Sequence, residues 1–229
     1  MSKEPKETKE TKETKDNKNE SGKTRKSSFY HAYRIALIGI LSAVAFGLMM
    51  LEFPLLWIAP EFYKMDFSEL PVIIGTFALG PVSGIIIELI KNLLNVLIDG
   101  TSTAFVGEFA NFAMGICYIL PAGLLYYFRK TKKTACIGLI LSTVSCVILG
   151  CILNAYVLLP LYSRLYFKDN IQVIIGMGTK VHSIIKDVPT FILFAVAPFN
   201  LIKYGAASII TILVYKRISR ILKNPMERA

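Results

Sequence analysis

Apolar positions run almost unbroken through residues 29–229, interrupted by short polar clusters rather than alternating with polar residues. Runs of about 20 such residues are what a membrane-crossing helix needs. The first extends from about Tyr33 to Glu52. Residues 53–69 follow, with Pro54 and Pro60 interrupting any helix and with Trp57 and Tyr63 suited to a membrane interface, so this stretch reads as a loop able to act as a lid. Two apolar pieces, 70–79 and 81–98, are divided at Gly80-Pro81. Further runs cover about 104–128, about 134–158, and 181–217, with an outer loop near 160–180. Pro189 and Pro198 predict kinks or a break in the last run, and whether 183–196 forms a separate re-entrant piece stays open.

Charge decides how many segments cross. If 70–98 were one helix, Arg129, Lys130, Lys132 and Lys133 would fall outside, against the positive-inside rule. A turn at Gly80-Pro81 puts them inside, together with Lys216, Arg217, Arg220 and Lys223. The expected fold is therefore an all-α integral membrane protein, a six-segment transmembrane helical bundle over 29–229 with both termini cytoplasmic. Segment 70–79 then covers only about 15 Å at 1.5 Å per residue and must be partial or packed against protein.

Residues 1–28 differ in kind. They hold 9 of the 26 Lys+Arg and 6 of the 16 Asp+Glu, with Lys at every third position from Lys3 to Lys18. No apolar face is available to offset the entropy of ordering, so a disordered cytoplasmic tail is expected. The net charge of +10 does not indicate nucleic acid, because it is split between tail and loops instead of forming one aromatic-basic face. Cys117, Cys136, Cys146 and Cys151 lie in apolar segments without C-x-x-C spacing, and His31 and His182 offer no cluster, so no metal site is expected. Gly176–Lys180 lacks the spacing of a phosphate loop, so any ATP used would be hydrolysed by another protein.

The polar residues left inside the apolar runs are the candidates for a site. Asp99–Asn111 carries Asp99, Thr101, Ser102, Thr103, Glu108 and Asn111 at the mouth of a segment. Glu108 and Asn111 share a helical face, as do Asn200 and Lys203. Together with Asn154 they can converge from three helices on the outer half of the bundle. Amides that both donate and accept, with one ammonium among apolar walls, suit a neutral aromatic ligand better than an ion. Structural roles compete: Glu108 could simply pair with Lys203, and asparagines often bond across helices. Glu88 and Lys91, three apart, are expected to pair with each other. On the first segment Ala36, Gly39, Ala43 and Gly47 form a small-residue face, suited to close packing within the bundle or to a partner protein.

The stretch DFSELPVIIGTFALGPVSGIIIELIKNLLNVLIDGTSTAFVGEFANF, followed by ILPAGLLYYF, LNAYVLLPLY and APFNLIKYG, resembles the riboflavin-specific substrate-binding subunits of energy-coupling factor (ECF) transporters over about residues 33–217. The resemblance implies a cell-membrane protein that captures riboflavin as cargo, with no resident cofactor. It implies partners too, the transmembrane coupling subunit EcfT and two cytoplasmic ATPases. Asn154, Asn200 and Lys203 match the family's polar ligand contacts, while Glu108 and Asn111 match its GEFAN motif. The lid corresponds to Phe53 through Leu70, with Trp57, Phe67 and Leu70 as its candidate residues. Ala36, Gly39, Ala43 and Gly47 are similar to the family's docking face for the coupling subunit. The competing readings are a subunit for another vitamin-like ligand, an ion-coupled carrier working alone, and a membrane enzyme using Glu108. The last lacks a nucleophile, a metal cluster or a second carboxylate on the same wall, so the chain is not expected to be an enzyme.

Overall fold

The computed structural model of the chain describes residues 28, 30–101 and 105–223. The charged tail before Ser28, and Ser102 and Thr103, lie outside the described residues. Among those described, five helices are long and apolar enough to cross a membrane. They are α1 (Tyr30–Met49), α3 (Pro81–Ile98), α4 (Val106–Phe128), the continuous run Lys132–Tyr166, and the run that begins at Val188. A shorter apolar helix, α2 (Glu69–Leu79), lies between α1 and α3. The protein is an all-α membrane helical bundle. Its surface carries large apolar side chains such as Leu97, Phe128 and Leu213, which suit lipid rather than water.

The division at Gly80-Pro81 is present. Gly80 adopts φ +96°, a conformation that L side chains rarely tolerate, and Pro81 opens α3 where its missing N–H is no loss. Arg34 of α1 seals the turn by donating to Leu79 O and to Ser83 Oγ, the latter at 2.6 Å. With 11 residues, α2 is roughly 16 Å long. Its buried residues Val72, Ile73 and Thr76 pack it among α3, α4 and the C-terminal helix α9 (Ala197–Lys223), which is how so short a helix is held in the bundle.

The second half departs from the sequence reading in several respects. Helix α5 (Lys132–Leu153) does not end near 158. It passes through a wide π turn at Asn154–Leu158 into α6 (Leu159–Tyr166), and α7 (Ile171–Val181) occupies what was expected to be loop. The wide turn gives Pro160 room that a regular helix would deny it, so the helix continues into what was expected to be the loop near 160–180. Pro189 sits in the first turn of α8 (Val188–Phe191), behind an Asp187–Thr190 capping box, and starts a helix instead of kinking one. A second wide turn, Ile192–Val196, then precedes Pro198 in α9 (Ala197–Lys223). Residues 188–223 are thus one continuous helix, and the break in the last run falls before it, at 182–187.

Three apolar clusters form the core. One, built on Ile58, Leu159, Phe191 and Phe199, lies beneath the 53–69 loop. The second, around Ile73, Tyr118, Leu139 and Tyr204, fills the centre, and the third joins α1 to α3 through Ala45 and Ile87.

Candidate functional site

The loop after α1 folds into a small hairpin. Strand β1 (Phe53–Pro54) pairs antiparallel with β2 (Lys64–Met65), placing Phe53 opposite Met65. Ile58, Ala59 and Met65 are buried against the cluster below, so the loop is packed down as a lid. Beneath it lies an open cavity of about 200 Å³, bounded by the lid, α4, the α5–α6 helix and α9. That is smaller than the roughly 300–1,000 Å³ of ligand clefts, so aromatic lid side chains must move for a drug-sized molecule to enter.

The polar groups of the cavity come from separate elements. Asn154 stands at the wide turn after α5, donates through Nδ2 to Gly150 O at 2.8 Å, and accepts from the Tyr63 hydroxyl of the lid. Asn200 donates to Val196 O at 2.9 Å, leaving a second N–H and the amide oxygen for other partners. Asn200 sits close against α5 because glycine stands there: a Cβ on Gly150 would lie 2.7 Å from Asn200 Nδ2. Both wide turns sit beside these asparagines, and such turns often occur at functional sites because they re-aim side chains. Lys203, one helical turn beyond Asn200, donates to Asp66 Oδ2 at 2.8 Å.

Asp66 lies in the lid outside the membrane segments. Burial alone would raise its carboxyl, but the Lys203 and Lys91 charges and hydrogen bonds from Lys203 and Ser68 outweigh it and hold it well below the usual carboxylate range. Burial raises the Tyr63 hydroxyl, reinforced by Tyr162, so it remains a phenol able to donate to Asn154. Tyr63 also packs against Phe199 with ring centroids 5.3 Å apart and planes tilted by 55°, and Phe62 meets Tyr162 edge-on at 6.2 Å. Amides, an ion pair and aromatic walls around one hollow can hold a flat heterocycle by its edges and faces.

Of the residues singled out in the sequence, Asn111, Asn154, Asn200 and Lys203 line this cavity together. Glu108 does not. It is half-buried on α4 beside the lining residue Gly107, and Lys203 takes Asp66 as its partner instead. Trp57 is 68% exposed, while Phe67 packs against the cluster under the lid and Leu70 against the central one. The lid residues on the cavity wall are Phe62, Tyr63 and Lys64, and Lys64 is paired with Glu52. Asp66 and Tyr63 were missed as site residues. The only sequence signal for Asp66 is shared with its neighbours: a lysine in an apolar helix needs a carboxylate, and the loop offers Glu61, Asp66 and Glu69.

The family model described as "ECF transporter, substrate-specific component" matches residues 33–215. The chain belongs to this family. It is 37% identical over 204 residues to riboflavin transporter RibU of Staphylococcus aureus (strain TCH60), covering 87% of this chain and 97% of that one. It is 32% identical to riboflavin transporter FmnP of Bacillus subtilis (strain 168), covering 81% and 91%. A solved structure of the S component of a bacterial ECF transporter is similar with a TM-score of 0.64 and 36% identity, over 85% of this chain and 99% of that chain. These relatives are transporters, and the chain is a multi-pass transport component, not an enzyme.

Proposed function

We propose that this S component captures riboflavin under the 53–69 lid and delivers it through an ATP-driven ECF complex. The carrying observation is the cavity lined by Asn154, Asn200 and Lys203, with the lid's Tyr63 donating to Asn154 and the lid's Asp66, behind the wall, paired to Lys203. Asn154, Asn200 and Lys203 hydrogen-bond the ring edges, Asn111 borders the ligand, Glu108 stays at the rim, and Tyr63 and Phe199 cover the faces. Riboflavin is cargo here.

The lid marks the external side in this reading. Arg34, the Gly80-Pro81 turn and the Arg129–Lys133 cluster share the opposite end, which suits the cytoplasm, with α2 as the sixth, shorter segment. Ala36, Gly39, Ala43 and Gly47 are all exposed on α1, which supports a docking face for the coupling subunit EcfT and, through it, two cytoplasmic ATPases.

Titration of the purified protein with riboflavin tests the reading. Saturable quenching of riboflavin fluorescence, weakened in Asn200→Ala by about 1–3 kcal/mol, is expected. Absence of quenching by the wild-type protein would exclude riboflavin as its ligand.

A further inference from the structure

Five charged side chains meet inside the bundle, three acids and two bases. Asp66 and Lys203 form one pair. The other base, Lys91 of α3, lies 2.9 Å from Glu69 of α2 and 2.8 Å from Glu88 on its own helix. Lys91 and Glu88 are 0% exposed and Glu69 is 1% exposed, so water does not screen them. Counted as ions, this inner group holds two carboxylates against one ammonium.

Among the described residues, the surrounding elements do not supply the missing positive charge. Tyr118 of α4, Cys146 of α5 and Tyr204 of α9 lie within electrostatic reach of Glu69, and none of these side chains can be a cation. α1 brings apolar Leu41 and Ala45 against Ile87. Lys203 also feels Glu69 but is committed to Asp66. Glu88 is closed off on its far side, where a Cβ on Gly115 of α4 would lie 2.4 Å from its carboxyl.

A second observation concerns hydrogen bonds. Glu69 Oε2 and Asn92 Oδ1 are buried acceptors with no donor among the described residues, and Glu88 Oε2 faces Lys91 without hydrogen-bond alignment. Asn92 uses its Nδ2 on Glu88 O and Oε1, which fixes the orientation of its amide. The group therefore has one surplus negative charge and surplus acceptors, deep in the bundle where both are costly.

We propose that Glu69 and Glu88 hold one proton between them around Lys91 at neutral pH. The proton comes from water and no other bond changes. It brings the group to zero net charge and turns one carboxylate oxygen into a hydroxyl donor. The site is wired to the ligand cavity. Lys91 donates to Ser68 Oγ at 3.2 Å, Ser68 N–H donates to Asp66 Oδ1 at 2.8 Å, and Asp66 meets Lys203 on the cavity wall.

Infrared spectroscopy of the full chain in lipid nanodiscs at pH 7, with 13C-labelled glutamate, tests this. A protonated-carboxyl carbonyl band that shifts with the label is expected in the wild-type protein. Glu69→Gln and Glu88→Gln each leave one carboxylate for one ammonium, so each removes the band. Lys91→Met leaves two acids with no base and roughly doubles it. Absence of the band from the wild-type protein, as a buried water or cation at the acceptors would produce, overturns the proposal. So does a band that survives both glutamine substitutions. The wild-type measurement decides even where a variant fails to fold.

Discussion

Lys203 on α9 and Asp66 in the lid meet across 2.8 Å, although 137 positions separate them in the sequence. The contact joins the element that would open for a ligand to the helix that carries two of the cavity's polar groups. Its side chains are 11% and 6% exposed, so the pair is shielded from solvent and breaking it leaves a buried charge. Asp66→Asn should loosen lid closure and speed riboflavin release, lowering affinity by about 1–3 kcal/mol. Stopped-flow dissociation reads this directly, and an unchanged off-rate would remove the pair from lid closure.

The same carboxyl sets a pH dependence. Asp66 is held well below its ordinary range, so its contribution to the closed lid is complete above the usual carboxylate range. It is lost only as pH falls through the depressed folded value. Riboflavin affinity should therefore stay flat from neutral pH into mild acid and drop only in strong acid. In Asp66→Asn that part of the drop is absent, because no carboxyl remains there to protonate. Fluorescence titrations of both proteins across the acid range give the comparison.

Local signals made the helices readable, and pairwise contacts over long separations made the site only partly so. Unbroken apolar runs predicted the long spans, and Gly80-Pro81 announced the turn before α3, because both depend on neighbouring residues alone. The extension of α5 to Tyr166 was hidden, since Pro160 reads as a stop unless the preceding turn widens. Asn111, Asn154, Asn200 and Lys203 stood out as polar residues in apolar helices, and they line one cavity. Asp66 and Tyr63 did not stand out, because polar and aromatic residues are ordinary in a loop until the loop packs down. Glu88 and Lys91 were paired correctly by spacing, but Glu69 joins them from another helix, which spacing cannot reveal.

Gly150 separates affinity from fold. A methyl group there would lie 2.7 Å from Asn200 Nδ2 and 2.9 Å from its Cγ, a contact relieved only by moving the amide or the helix. Gly150→Ala should keep the bundle folded while displacing Asn200, weakening riboflavin binding by about 1–3 kcal/mol. Circular dichroism together with ligand titration checks both halves. Wild-type affinity would mean that the position of Asn200 does not limit recognition.

The α1 face offers the opposite separation. Gly39 and Gly47 have no heavy atom within 4 Å of where a Cβ would stand, and Ala36 and Ala43 are exposed beside them. A larger side chain there starts in open space among the described residues, so the bundle and the ligand cavity should tolerate it. A helix packed closely against these small residues would not tolerate it, because its backbone approach depends on their size. Gly39→Leu combined with Ala43→Leu should leave riboflavin quenching unchanged and abolish co-purification with the coupling subunit and its ATPases. Retained co-purification with unchanged uptake would move the docking surface to another face of the bundle.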